Sequence, residues 1–195
     1  MDMFESQFKG YPKRTLASLI TSTTKVRDKQ YPTNAVMNVD YKYVLQNKQL
    51  YIKSNVVPWS TDRKIPFALS MIIDRVQTTE VGNAPFNEII YYYLNPKEKI
   101  LLKKPSFDNT CRVRCQCKDF YFMWSYYDQK NKALVGTHKP YIRLTDTYPE
   151  RNPTHSPGLC KHLLVFIKKL VDTKIIDDNY NILNSYLTVR KINGK

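Results

Sequence analysis

Four of the seven cysteines and histidines in this chain lie in two tripeptides, Cys115-Gln116-Cys117 and Cys160-Lys161-His162. A disulfide between two cysteines only one residue apart would close a small, strained ring. Where the backbone turns, both thiolates can instead bind one ion, and cysteine with histidine is the ligand set of four-coordinate structural zinc. The two tripeptides therefore predict a zinc site with Cys115, Cys117, Cys160 and His162 as its ligands.

The same four residues also fit an ordinary protein interior. Buried cysteines behave as small apolar side chains, and a histidine near a helix start can cap the helix or pack beneath it. Residue type and spacing leave both interpretations open, with the metal site as the working hypothesis. The spare candidates are Cys111, His138 and His155, and we expect all three to lie outside the ligand set.

The elements around the two tripeptides are expected to bring them together. Residues 111–117 alternate as in a strand, with Cys111, Val113, Cys115 and Cys117 on one face. From Leu159 to Val171 apolar residues recur at helical spacing, and Pro157 lies near the first turn. Cys-x-Cys would thus end a strand and Cys-x-His would open a helix. A metal bound there would fasten the helix to the sheet and add its binding free energy to folding.

The rest of the chain predicts an α+β fold, mainly antiparallel sheet with a few short helices. Residues 13–26 carry apolar side chains at helical spacing after Pro12. Between residues 40 and 102, short runs of β-branched and aromatic residues are separated by Pro, Gly, Asn or Asp, which is typical of strands. Asn95-Pro96-Lys97-Glu98 predicts a hairpin turn between two of them. A last helix is predicted from Asp178 to about Val189.

The net charge and the aromatic residues indicate which classes of partner the protein could bind. The net charge is +14, from 31 Lys and Arg against 17 Asp and Glu, so the protein should be attracted to a polyanion or an acidic protein surface. Tyr91-Tyr92-Tyr93 has two interpretations, a stacking platform for nucleic-acid bases or a strand that alternates between the core and a subunit contact. The chain has no apolar run of about 18 residues and no secretory signal, so we expect neither membrane insertion nor secretion.

The two tripeptides and their flanks carry a resemblance to a known family. Residues 115–120, Cys-Gln-Cys-Lys-Asp-Phe, resemble the opening of the SWIM-type zinc finger, in which Cys-x-Cys precedes a Pro-Asp-Phe-like tripeptide; here Lys118 replaces the proline. Residues 157–163, Pro-Gly-Leu-Cys-Lys-His-Leu, are similar to its close. The gap of 42 residues between Cys117 and Cys160 is longer than in the usual finger. This long form, matched over roughly residues 104–170, is similar to a group of structural proteins of tailed bacteriophages, the crass-like phages among them.

The resemblance implies a function as well as a ligand set. It implies a structural subunit of a virion, a ring or connector protein of the neck, tail barrel or baseplate, assembled in the host cytoplasm. Such a subunit would form a homo-oligomeric ring and contact other virion proteins, with packaged DNA as a further partner. The alternative is an intracellular zinc-binding, nucleic-acid-binding protein of SWIM type. We expect no enzymatic activity and no small-molecule substrate, because no nucleophile, phosphate-loop or metalloprotease motif is present.

These interpretations divide the chain, as a single domain of residues 1–195, into five regions. They are an N-terminal arm (1–12), a helix (13–26), an antiparallel sheet region (40–127), a zinc-finger-like region with a long insert (105–171), and a C-terminal helix with a basic tail (172–195). The zinc-finger-like region overlaps the end of the sheet region. The aromatic segment Lys118–Tyr127 is placed in the sheet region, where we expect it in the core or an interface.

Overall fold

The computed structural model describes residues 14–27, 31–32, 36–58, 65–80, 88–95, 98–139, 151–179, 183 and 187–188. The described helices are α1 (Leu16–Val26), α2 (Lys118–Met123), α3 (Ser125–Lys130) and α4 (Lys161–Asp172). The described strands are β1 (Tyr31–Pro32), β2 (Val36–Gln46), β3 (Gln49–Pro58), β4 (Phe67–Ile73), β5 (Thr78–Thr79), β6 (Ile89–Asn95), β7 (Glu98–Lys103), β8 (Cys111–Cys115) and β9 (Leu187–Thr188). The predicted N-terminal arm and basic tail lie outside these residues.

The larger sheet is antiparallel and has the strand order β2-β3-β4-β8. Strands β2 and β3 join through the two-residue turn Asn47-Lys48, where both residues have positive φ, 50° and 57°. That backbone suits the right-handed twist of a tight hairpin. The α+β class with a mainly antiparallel sheet is therefore confirmed.

Strand β8 carries the first predicted ligand, Cys115, at the edge of this sheet. It pairs with β4 from Ile73↔Cys111 to Leu69↔Cys115. Cys111, Val113 and Cys115 are buried, whereas the arginines between them are half-buried. The predicted alternation is confirmed for residues 111–115, where it turns Cys115 toward the core, but Cys117 lies beyond the end of the strand.

A second antiparallel sheet has the order β5-β7-β6. Strands β6 and β7 pair from Ile89↔Lys103 to Asn95↔Glu98, which confirms the predicted hairpin. Tyr92 is buried and its ring lies 5.8 Å from that of Tyr43 on β2. The side chains of Tyr91 and Tyr93 lie outside the described part of the chain, so the stacking interpretation stays a prediction.

Helix α1 confirms the predicted N-terminal helix. Thr15 caps it, because its Oγ1 accepts the backbone N–H of Ser18 at 3.2 Å. The buried face consists of Leu16, Leu19, Ile20 and Thr23. Thr23 is the polar member of that face, and its hydroxyl contributes to the site described below.

The predicted antiparallel sheet region, residues 40–127, extends too far toward the C-terminus. Residues 118–130 form the two short helices α2 and α3, and the last strand of the sheet ends at Cys115. Phe120, Met123 and Trp124 are buried at helical spacing, while Phe122 and Tyr126 are exposed. The aromatic residues that suggested strands thus belong to a pair of helices, where some are buried and others are exposed.

Helix α4 begins at Lys161, after the N-cap residue Cys160, so the predicted helix start at Cys-x-His is confirmed. It packs against β2, β3 and β8 through a face that includes Leu163, Phe166, Ile167 and Leu170. The predicted last helix, residues 178–189, is wrong at its end, because Leu187–Thr188 forms β9 and pairs in parallel with β1. Most of that predicted helix lies outside the described residues. No described helix is long and apolar enough to cross a membrane.

Candidate metal centre

The four predicted ligands lie at the ends of three neighbouring elements. Cys115 is the last residue of β8, and Cys117 is the N-cap of α2. Cys160 is the N-cap of α4, and His162 is the second residue of that helix. Side chains two apart within a helix diverge, but Cys160 has extended backbone angles, φ −80° and ψ 165°. Its thiol and the imidazole of His162 can therefore face the same point.

The structure brings these four side chains together. Their ligand atoms all lie within 4.8 Å of one another, and all four residues are buried, at 4%, 3%, 0% and 3% exposure in chain order. The Sγ of Cys115 lies 3.9 Å from Nδ1 of His162. Tetrahedral zinc with bonds of about 2.3 Å would place its sulfur ligands roughly 3.8 Å apart. The four residues, called here the Cys3His cluster, could therefore bind a metal ion after only small movements.

Backbone N–H groups already point at the sulfur atoms. The Sγ of Cys117 accepts the N–H of Phe120 at 3.3 Å in the first turn of α2. The Sγ of Cys115 accepts the N–H of Cys117 at 3.4 Å. Such N–H donors, together with the positive end of a helix, favour a thiolate over a thiol.

The three thiols respond differently to their shared surroundings. Hydrogen bonds from Cys115 and Cys160, then from His162, hold the pKa of Cys117 far below its usual value. Burial raises the pKa of Cys115 and of Cys160, whose thiols serve as those donors. The three thiols are therefore coupled through hydrogen bonds, with Cys117 as the acceptor of those from Cys115 and Cys160.

The imidazole of His162 is held in place by packing against an aromatic ring. The ring of Phe67 packs against its imidazole, with centroids 5.1 Å apart and an angle of 47° between the planes. Its Nε2 is buried and has no hydrogen-bond partner within the described part of the chain. With Nδ1 nearest to Cys115, a metal would take Nδ1 and leave the proton on Nε2. The ring is thus held by packing rather than by the carboxylate or carbonyl that usually orients a ligand histidine.

Comparisons with protein-family models, with curated proteins and with solved structures found no match for this chain. The site is interpreted from its own geometry. Three buried sulfur atoms and one imidazole nitrogen converge on one point, at the junction of a strand end and two helix starts.

A set of long-range hydrogen bonds positions the second tripeptide. The N–H of Gly158 donates to Oδ1 of Asp128 at 2.8 Å, and the N–H of Leu159 donates to Oγ1 of Thr23 at 2.8 Å. Asp128 is fully buried, and this burial raises the pKa of its carboxyl well above the usual range. The backbone just before Cys160 is thereby tied to α3 on one side and to α1 on the other.

Gly158 is required by the closeness of this contact. A Cβ atom at this position would lie 2.5 Å from the Trp124 ring and 2.9 Å from Oγ1 of Thr23. Upstream, the buried Asn152 donates from Nδ2 to the carbonyl oxygens of Met123 at 3.0 Å and Ser156 at 2.7 Å. The segment before Cys160 thus has a fixed path over α2 and α3.

The spare candidates all lie outside the Cys3His cluster. Cys111 is buried at the other end of β8, where burial raises the pKa of its thiol. The Nδ1 of His138 is hydrogen-bonded to the hydroxyl of Ser125, and the ring of His155 stacks on Tyr127. None of these three residues therefore contributes a ligand to the cluster.

A separate cleft of about 370 Å³ lies elsewhere on the chain. Polar and charged side chains such as Arg75, Glu88 and Asp177 line it, and none of the four cluster residues does. The four residues of the Cys3His cluster are buried and lie outside this cleft.

Proposed function

We propose that the Cys3His cluster binds one zinc ion with a structural role. The observation that supports this is the convergence of four buried ligand atoms within 4.8 Å. Three sulfur ligands and one imidazole form a set that suits zinc, and hard cations such as magnesium and calcium prefer oxygen. With four protein ligands bound, no coordination position remains for water, so the site would stabilise the fold and would not catalyse a reaction.

The physical role follows from where the ligands come from. Cys115 ends a sheet strand, Cys117 caps α2, and Cys160 with His162 begins α4. Coordination would join these three elements at one point. Because the unfolded chain does not hold the four ligands together, most of the binding free energy would stabilise the folded state.

Metal analysis of two cysteine variants tests this proposal. The parent protein should contain about one zinc per chain, and Cys160→Ser should contain almost none and melt roughly 5 to 15 °C lower. Cys111→Ser is the matched control, because it also changes a buried thiol but lies outside the cluster. It should keep its zinc. Parent protein prepared without chelator that holds no zinc would contradict the proposal.

We further propose that this zinc-stabilised protein is a structural subunit of a tailed-bacteriophage virion. The support is the resemblance of residues 115–120 and 157–163 to the long SWIM-like motif of such subunits. The net charge of +14 is consistent with contacts to acidic neighbouring subunits or packaged DNA. On this proposal the protein is a ring or connector component that assembles with copies of itself.

Mass spectrometry of purified particles tests the virion role directly. The protein should be present in stoichiometric amount, and light scattering on the isolated protein should give one defined oligomer. Absence from particles, with the protein found free in the infected cell, would favour the alternative of an intracellular zinc-dependent nucleic-acid-binding protein. The zinc analysis is independent of this result, since a structural zinc site fits either role.

A further inference from the structure

Six aromatic rings from α2, α3 and the segments that flank them form a continuous row. Consecutive ring centroids are separated by 5.1 Å, 5.0 Å, 5.9 Å, 5.2 Å and 5.2 Å. In order along the row, the residues are Phe122, Tyr121, His138, Tyr126, Tyr127 and His155. We call this row the aromatic ribbon. It brings together the two helices, the segment after α3 and the segment before α4.

Parts of the ribbon are open to solvent. Phe122 is 40% exposed and Tyr126 is 43% exposed, four positions apart on the adjoining helices. His155 is also exposed, and its ring lies nearly parallel to that of Tyr127, at 11°. Because these exposed side chains belong to one contiguous row, they form a patch rather than scattered surface residues, and such patches mark interaction sites.

Positive charge surrounds the ribbon. Five cations lie on the same helices or on the segments that flank them: Lys118, Lys130, Lys132, Lys139 and Arg151. The guanidinium of Arg151 lies 5.7 Å from the centre of the Phe122 ring, and the ammonium of Lys130 lies 4.5 Å from that of Tyr126. None of the five forms an ion pair with a carboxylate within the described part of the chain.

The acidic side chains of α2 and α3 do not neutralise this charge. Asp119 is paired with Arg27, and Asp128 is fully buried beneath the helices. The ribbon therefore combines partly exposed aromatic side chains with cations that have no anionic partner among the described residues. A ligand that fits both features must carry flat rings and regularly spaced negative charge.

We propose that the aromatic ribbon binds single-stranded nucleic acid. Base stacking on aromatic side chains, next to a basic surface that follows the phosphates, is the general mode of single-strand binding. Arginine and lysine beside the rings add cation–π attraction. A duplex fits less well, because its bases are already stacked on each other. The inference does not rest on the virion role or on zinc, and its test is separate from both.

The test is a binding titration with the full-length protein as purified, without added chelator. Fluorescence anisotropy is measured with a labelled oligothymidylate and with a duplex of the same length, between about 50 and 200 mM salt. Phe122→Leu and Tyr126→Leu remove a ring and keep an apolar side chain. Tyr126→Phe keeps the ring. The controls are Val44→Leu, an apolar residue 54% exposed on β2, and Lys42→Gln, an exposed cation on the same strand.

The single strand should bind more tightly than the duplex, and each leucine variant should weaken its binding roughly 5- to 150-fold. Tyr126→Phe and both controls should bind as the parent does. Lys118→Gln and Lys139→Gln should each reduce the salt dependence of log K by about 0.7 where a phosphate contact is lost. An unchanged melting temperature in every variant shows that the fold is retained.

Three results would overturn the inference. The first is a leucine variant that folds and binds as tightly as the parent. The second is an equal loss of binding in Lys42→Gln, which would show attraction to the overall charge rather than to the ribbon. The third is displacement of the oligothymidylate by polyglutamate at equal charge concentration, which would indicate an acidic protein as the partner of this surface.

Discussion

Asp128 is the buried carboxylate on which the approach to the metal site depends. Its Oδ1 accepts the N–H of Gly158, and its Oδ2 has no hydrogen-bond partner within the described residues. Burial raises its pKa, so the folded protein holds this proton more tightly than the unfolded chain does. The Asp128 carboxyl fixes the backbone before Cys160. Burying this group costs more free energy when it is ionised than when it is protonated.

The raised pKa of Asp128 predicts how the stability of the protein depends on pH. The unfolded chain releases the Asp128 proton near pH 3.9, so this residue's contribution to stability falls as the pH rises from about 4, until the folded carboxyl ionises too. Asp128→Asn keeps an acceptor for Gly158 but does not titrate. The free energy of unfolding of the variant, measured relative to the parent by denaturant titration, should therefore increase between about pH 4 and 7.

Asp128→Ala is the matched control for this residue. It also removes the titration, but it leaves the N–H of Gly158 without an acceptor, which should cost about 1 to 3 kcal/mol. Both variants should share the altered pH dependence, and only the alanine variant should carry that extra loss. Equal pH dependence in Asp128→Asn and the parent would show that the folded and unfolded carboxyl have the same pKa.

The residues of the site divide into those that sequence can reveal and those that it cannot. Cys115, Cys117, Cys160 and His162 were predicted, because ligand chemistry restricts residue type and the spacing within each tripeptide is local. Asp128 and Thr23 could not be predicted, since each contacts a backbone N–H far away in the chain and its residue type is common elsewhere. Their role depends on which elements pack together, and no local pattern carries that information.

At the scale of elements, the segment before α4 depends on the fit between Gly158 and the Trp124 ring. Gly158→Ala would force its Cβ into that ring and into Thr23, and a rigid indole cannot move aside cheaply. We expect a loss of about 1 to 3 kcal/mol in the free energy of unfolding. Because Cys160 is two residues away, the zinc affinity measured by competition with a chelator should fall as well.

Gly136→Ala separates general strain from an effect on the site. Gly136 has φ +75°, and a Cβ there meets only the end of the flexible Arg114 side chain. This variant should lose stability through its backbone conformation and retain the zinc affinity of the parent. If both variants lost zinc affinity equally, the close packing at Gly158 would have no special influence on Cys160.

Helices α2 and α3 show where element prediction from sequence reaches its limit. Their aromatic residues favour strands on intrinsic preference, and the segment follows directly after strand β8. The spacing of Phe120, Met123 and Trp124 did carry a helical period, and Asp119 in the first turn suits a helix start. The prediction followed the strand preference of the aromatic residues, because the helical spacing of apolar residues extends over only two short helices. The hairpins and α1 were predictable, because turn chemistry and a longer apolar stripe specify them locally.

At the scale of the whole molecule, the Cys3His cluster joins the larger sheet to two helix starts. The sheet strands are held by many other hydrogen bonds, and the helix starts by fewer. Strands β3 and β4 are central in the larger sheet, whereas α2 and the start of α4 meet at Cys115, the last residue of its edge strand β8. Removing the metal with a chelator should therefore raise amide hydrogen exchange mainly in residues 117–124 and 159–165. Exchange in the central strands should change little.

The same measurement on Cys160→Ser checks that the effect comes from coordination. It should reproduce the chelator pattern without added chelator, and Cys111→Ser should not. Uniformly faster exchange over the described sheet would mean that the metal supports the fold as one cooperative unit. The hydrogen bonds of Asp128 and Thr23 would then be too weak to hold the start of α4 by themselves.

The 42 residues that separate Cys117 from Cys160 also have a consequence for synthesis. A ribosome adds about 5 to 20 residues per second, so the Cys-x-Cys pair is made about 2 to 8 seconds before the Cys-x-His pair. During that interval the nascent chain holds two thiols without their other two ligands. Any ion captured then has an incomplete coordination shell, and neighbouring thiols or small-molecule thiols can compete for it. Loading of the proposed zinc site would therefore be a late event, which follows the emergence of the segment that begins α4.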